Sequence, residues 1–180
     1  YLEGDTWDYV TIQQASIKSH DYSTYQPFGD QLAKLIRTHA PQAKLLIHET
    51  WAYRSDDPRF NSDKPKKEVE PQTQKEMYEG IKSSYHQLAK RLNAPIIPVG
   101  DAFWAADNDP TFGYKKDASF DLKSAKKPQL PDQKHSLHIG WKWSKTRKSP
   151  DKIVLNMDGH HANLAGEFLG ACVWYETLFG

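Results

Sequence analysis

Strand-like and helix-like segments alternate along this chain, which predicts an α/β fold with a mainly parallel sheet covered by helices on both faces. Three observations carry the prediction. Leu45-Leu46-Ile47 is an unbroken apolar run, as in a strand buried on both faces. Met77, Ile81, Tyr85, Leu88 and Leu92 form one stripe at helical spacing, and Ile96-Ile97 follows as a second apolar run. With 180 residues, 38% of them hydrophobic, and no internal repeat, a single domain over 1–180 is expected.

Trp7-Asp8-Tyr9-Val10-Thr11-Ile12-Gln13 reads as a first strand, opening into a loop at Gln14-Ala15-Ser16. Phe28, Leu32, Leu35 and Ile36 predict an amphipathic helix that stops before Pro41. A second strand spans Ala43 to Glu49. Arg54 to Glu70 is charged and contains proline, so it reads as a surface loop. A long helix starts near Pro71, and Ala94 to Val99 is a third strand. Periodicity then fails, and 103–152 reads as an irregular insertion or lid, an unusual length for a structureless connection. Ile153-Val154-Leu155 is a short apolar run. The final helix is expected to dock on the sheet through Leu164, Phe168, Ala171, Tyr175 and Leu178, with Ala165, Gly166 and Gly170 permitting close packing.

The 24 basic residues nearly balance the 23 acidic ones, so the global field gives no reason to expect a nucleic acid or membrane partner. No apolar run approaches 18 residues. Cys172 is the one cysteine, which excludes a disulfide framework and reads as a small buried hydrophobe. The chain opens at Tyr1 without a methionine, so a missing N-terminal segment of the same protein is expected.

The stretch that carries chemistry is Asp158-Gly159-His160-His161-Ala162-Asn163. A serine hydrolase needs a general base and a carboxylate that fixes its tautomer and orientation, and a D-x-x-H turn supplies both. His161 fits the three-residue offset; His160 is read as lining the pocket or packing. No Gly-Asp-Ser occurs in the chain, and Gly4-Asp5-Thr6 precedes a strand where a nucleophile turn should follow one.

Trp7-Asp8-Tyr9-Val10 with Gln13 and Ser16, Thr50-Trp51-Ala52-Tyr53, Asp158-Gly159-His160-His161, Gly166 and Ala171 to Glu176 together give the chain its likeness. It resembles the SGNH (GDSL-type) hydrolase superfamily, in a branch with a terminal D-G-x-H motif. The resemblance implies a flavodoxin-like three-layer sandwich lacking its first strand, with the site at the carboxyl ends of the strands. It implies Asp158 and His161 as catalytic residues, with the nucleophilic serine outside the chain, and a periplasmic or secreted location. Gln13 and Gln14 stand where relatives carry an asparagine that donates to the oxyanion, and an amide still donates.

Glu49, Trp51 and Tyr53 are expected at the rim, with Ser16 and His160 also binding substrate; the aromatic faces either stack on sugar rings or, for Trp51 and Tyr53, fill the edge of the core. Trp141 and Trp143, interleaved with Lys142, Lys145 and Arg147, suggest either a lid that stacks a sugar and attracts an anionic group or a mobile loop with solvated lysines. Lys64-Pro65-Lys66-Lys67 and Lys126-Lys127 read as solvated surface. Asp158, His160, His161, His48 and Glu49 have metal-ligating chemistry, but without H-E-x-x-H or paired ligand spacing no metal or other cofactor is expected. The expected function is a carbohydrate O-acetyl esterase acting on a small-molecule or glycan ester. The alternative is a non-catalytic carbohydrate-binding domain with a degenerate hydrolase fold.

Overall fold

A computed structural model describes residues 2–60 and 70–180. The Lys64–Lys67 run lies outside them. Three parallel strands form the central sheet in the order β1 (Tyr9–Ile12), β2 (Lys44–His48), β3 (Ile96–Ile97). The register runs Val10↔Leu45 and Thr11↔Leu46 on one side of β2, and Ile47↔Ile96 on the other. The mixed α/β class and the parallel sheet agree with expectation.

Alternation along β2 feeds two cores. Leu45 and Ile47 pack against α1 (Phe28–His39) and α2 (Gln74–Leu92), with Ile36, Met77, Ile81, Tyr85 and Leu88 at their centre. Leu46 and Ile97 face the other way, toward α3 (Val99–Asp107) and α4 (Leu164–Phe179). The α2 helix begins where the Thr73 hydroxyl accepts from Glu76 N at 3.1 Å, and ends at Asn93 in the left-handed conformation with φ 46°.

Several expectations are corrected. The region 103–152 is not wholly irregular: α3 enters it, and β4 (His138–Thr146) pairs antiparallel with β5 (Ser149–Ala162). Ile153-Val154-Leu155 is the middle of a 14-residue strand, and Asp158 to His161 lie at its end instead of on a free turn. The Trp141–Arg147 segment belongs to this hairpin.

The start of the expected surface loop at Arg54 is also corrected. Arg54 is fully buried; its Nε and Nη2 donate to Asp56 at 2.6 and 3.0 Å, and its Nη1 donates to Gln133 and Ser136. The guanidinium lies 4.3 Å from the Tyr114 ring. Gly140, with φ 72°, allows this approach, since a Cβ there would stand 2.2 Å from Arg54 Nη1.

The packing face of α4 differs from the expected one. Leu169, Val173, Trp174 and Leu178 meet the sheet side, whereas Leu164, Phe168 and Tyr175 are exposed. Gly166 is buried, where a Cβ would meet the Leu137 carbonyl at 2.3 Å. Cys172 is exposed, not buried, because it shares the outer side of this helix. On α1, Ile36 packs inward while Phe28, Leu32 and Leu35 face out. Among the described residues β1 pairs with β2 alone, and no helix is long and apolar enough to cross a membrane.

Candidate functional site

The end of β5 is tied to the chain leaving β2. Arg54 N donates to the Gly159 carbonyl at 2.8 Å, and Trp51 Nε1 donates to the His160 carbonyl at 3.0 Å. These bonds set Asp158, His160 and His161 beside the carboxyl end of β2, where open α/β sheets present their ligand crevice. Gly159 is needed for this contact, because a Cβ there would lie 2.6 Å from Asp57 Oδ2.

Asp158 Oδ1 lies 2.9 Å from His161 Nδ1 and also accepts from His161 N at 3.3 Å. Its other oxygen accepts from Lys142 Nζ at 3.0 Å. Burial pushes the Asp158 carboxyl up, but Lys142 and the His161 bonds outweigh it and hold it at about 2. The carboxylate therefore remains ionised and fixes the ring: His161 Nδ1 donates to it, leaving Nε2 as the basic nitrogen. The His161 side chain is 66% exposed, so that nitrogen is open to an incoming group.

A second layer was not foreseen in the sequence. Arg59 Nε and Nη2 donate to Asp57 at 2.9 and 2.8 Å, and Nη2 reaches His160 Nδ1 at 3.0 Å. The guanidinium lies 3.8 Å from the Tyr53 ring centroid. The His160 and His161 rings are 4.0 Å apart. Burial and the Arg59 charge both push the His160 imidazole below its ordinary range. Asp57 and Arg59 sit in the charged segment that gave no periodic signal, and Lys142 had been read only as an anion-attracting or solvated lysine.

Asp158, His160 and His161 offer ligand atoms within 4.8 Å of one another, a spacing that a metal ion accepts. The donor set fits poorly: an ammonium occupies Asp158 Oδ2 and a guanidinium occupies His160 Nδ1, so two cations stand where an ion would bring a third positive charge.

Of the other expected site residues, Trp51 and Tyr53 pack behind His160 and the rest lie elsewhere. Glu49 is buried, not at the rim; Oε2 accepts from Asp101 N at 3.1 Å, and burial, then the Asp101 charge, raise its carboxyl to about 7. Trp51 stacks on Phe103 at 4.6 Å and so props His160 from behind. Tyr53 is buried, its hydroxyl 3.3 Å from Ser16 Oγ. Gln14 Nε2 is committed to the Thr24 carbonyl and hydroxyl at 3.0 and 3.2 Å, while Gln13 is exposed and its Oε1 meets His48 Nδ1. Gly140 pairs with Asp158 and Trp141 with Met157, so Trp141 and Trp143 stand on the hairpin face away from Asp158 and Lys142. Trp143 Nε1 donates to the Gln129 carbonyl. Trp141 lines a separate cleft of about 490 Å³ with Tyr114, Phe120, Asp121 and Pro131.

No curated protein matches the chain. The chain is similar to the crystal structure of a DUF4886 family protein from Bacteroides uniformis ATCC 8492, at 24% identity and a TM-score of 0.65. That match covers 99% of this chain and 52% of the other, so the chain spans about half the length of that protein. The likeness concerns the fold. The profile of the family described as "Domain of unknown function (DUF4886)" matches residues 2–119, about two-thirds of the chain, and the chain belongs to that family.

Proposed function

We propose that this chain carries the general-base half of a serine esterase of the SGNH type, acting on carbohydrate O-acetyl esters through an acyl-enzyme. The observation that carries the reading is the 2.9 Å contact between Asp158 Oδ1 and His161 Nδ1, which leaves Nε2 free on an exposed ring. His161 Nε2 takes the proton of an attacking serine hydroxyl as its oxygen bonds to the ester carbonyl carbon. The tetrahedral intermediate collapses, the carbon–alkoxide bond breaks, and the same proton passes to the departing sugar oxygen. Water, activated by the same nitrogen, then releases acetate. Asp158 stabilises the imidazolium, and Gln13 serves as oxyanion donor.

The serine is assigned to a further segment of the same protein, packed beside β1. Two features support this. Among the described residues β1 has a strand neighbour on one side only, and large apolar side chains of α1 (Phe28, Leu32) and α4 (Phe168, Tyr175) are exposed. The completed sheet is then the flavodoxin-like sandwich, and the protein is periplasmic or secreted.

A serine-directed fluorophosphonate, applied to the natural full-length protein, tests the reading. The proposal expects one labelled serine whose labelling depends on His161. An unlabelled protein without acetyl-ester hydrolysis would favour the second reading, glycan binding without catalysis. The observation behind that alternative is the aromatic cleft at Trp141, Tyr114 and Phe120.

A further inference from the structure

One carboxylate oxygen faces two imidazoles. Asp158 Oδ1 is 2.9 Å from His161 Nδ1 and 3.3 Å from His160 Nδ1, so either ring, protonated at Nδ1, could hold it. Shared between them, the oxygen would orient His161 only part of the time. The contact that breaks the tie comes from outside the hairpin.

We propose that Arg59 is a positioning residue that assigns Asp158 to His161 by fixing the tautomer of His160. This rests on the reading of His161 as the base. A guanidinium has only donors and does not lose its proton in proteins. Its Nη2, 3.0 Å from His160 Nδ1, therefore requires a lone pair on that nitrogen. His160 is neutral with its proton on Nε2, and its Nδ1 has nothing to donate to Asp158. Oδ1 is left to His161 alone.

Arg59 is itself held in register. Two bonds to Asp57, whose side chain is 3% exposed, fix the plane of the guanidinium, and the Tyr53 ring supports its face. The backbone of Arg59 also donates to Asp57 Oδ1 at 2.9 Å. Gly159 leaves the space in which Asp57 approaches β5. Among the described residues, the titratable and charged groups that face His160 are Arg59, Asp57 and Tyr53 from the segment after β2, and Asp158 and His161 from β5. Of these, Arg59 alone demands a bare Nδ1.

Nitrogen-15 NMR of the imidazoles in the natural protein reads the tautomer directly, and does so whether or not the protein is an esterase. The expected result is His160 protonated at Nε2 with an accepting Nδ1, and His161 protonated at Nδ1. In Arg59→Met, His160 should gain the Nδ1–H form and titrate at higher pH. Acetyl-ester kcat should fall about tenfold with little change in KM, as a charge-assisted hydrogen bond to His161 becomes shared. Arg59→Lys, which keeps the charge but not the fork, should move the tautomer the same way by less, and serves if the methionine variant fails to fold. An Nδ1–H form of His160 in the unaltered protein, or an unchanged tautomer in either folded variant, overturns the proposal. Loss of ester hydrolysis as a property of the protein, with these tautomers intact, would instead remove the reading on which it rests.

Discussion

Lys142 Nζ sits 3.0 Å from Asp158 Oδ2, on the side of the carboxylate that His161 does not use. The pair spans the hairpin diagonally, Lys142 from β4 and Asp158 from β5, and occupies the face opposite the two tryptophans. The lysine stabilises the charged carboxylate but also draws on the negative charge that supports an imidazolium at His161.

Lys142→Met should raise the Asp158 carboxyl from about 2 toward its ordinary 3.8. For a carboxyl lowered in the folded state, the stabilisation is present above 3.8 and lost as pH falls through about 2. The variant should therefore show acid unfolding at higher pH, followed by circular dichroism. An unmoved acid midpoint would contradict the assignment.

Glu49 works in the opposite sense. Its carboxyl is raised from 4.5 to about 7, with Oε1 buried and, among the described residues, without a hydrogen-bond partner. Its contribution is complete below 4.5 and is lost as pH rises through about 7, a change on the order of 3 kcal/mol. Glu49→Gln should flatten the dependence of stability on pH across that window, measured by urea unfolding at a series of pH values. A variant with the unaltered slope would place the titration elsewhere.

Arg54→Met should destabilise the fold by about 3–5 kcal/mol, because Asp56 would be left as a buried charge without its partner. Thermal unfolding measures this. A loss below about 1 kcal/mol would mean that water or a rearranged side chain satisfies Asp56.

Gln13 and Gln14 should separate by phenotype. Gln14→Ala removes the tie to Thr24 and should lower stability, whereas Gln13→Ala should lower kcat by about 10²–10³ as an oxyanion donor is lost. Steady-state kinetics and melting curves on both variants distinguish them, and a rate loss under tenfold for Gln13→Ala would remove it from the oxyanion role.

How much of this was legible in the sequence depended on the range of the signal. β2 and α2 were, because an unbroken apolar run and a 3.6-residue stripe are local patterns. The inward face of α4 was not: the helix carries large apolar residues on both sides, and spacing alone does not say which side another element covers. The hairpin was not legible either, because the alternation at Trp141 and Trp143 spans only two apolar positions and β5 opens with the polar Ser149-Pro150-Asp151-Lys152. Within the site, the Asp158 and His161 pair followed from a three-residue offset. Arg59 reaches His160 across 101 positions of chain, and no spacing rule connects them.

The central claim is tested most directly by His161→Ala in the natural full-length protein, with kcat/KM for an acetyl ester measured beside the unaltered enzyme and folding checked by circular dichroism. A serine esterase using this imidazole should lose on the order of 10³-fold or more in rate while keeping its fold. A folded variant that hydrolyses the ester at the unaltered rate would contradict the assignment of His161 as the base.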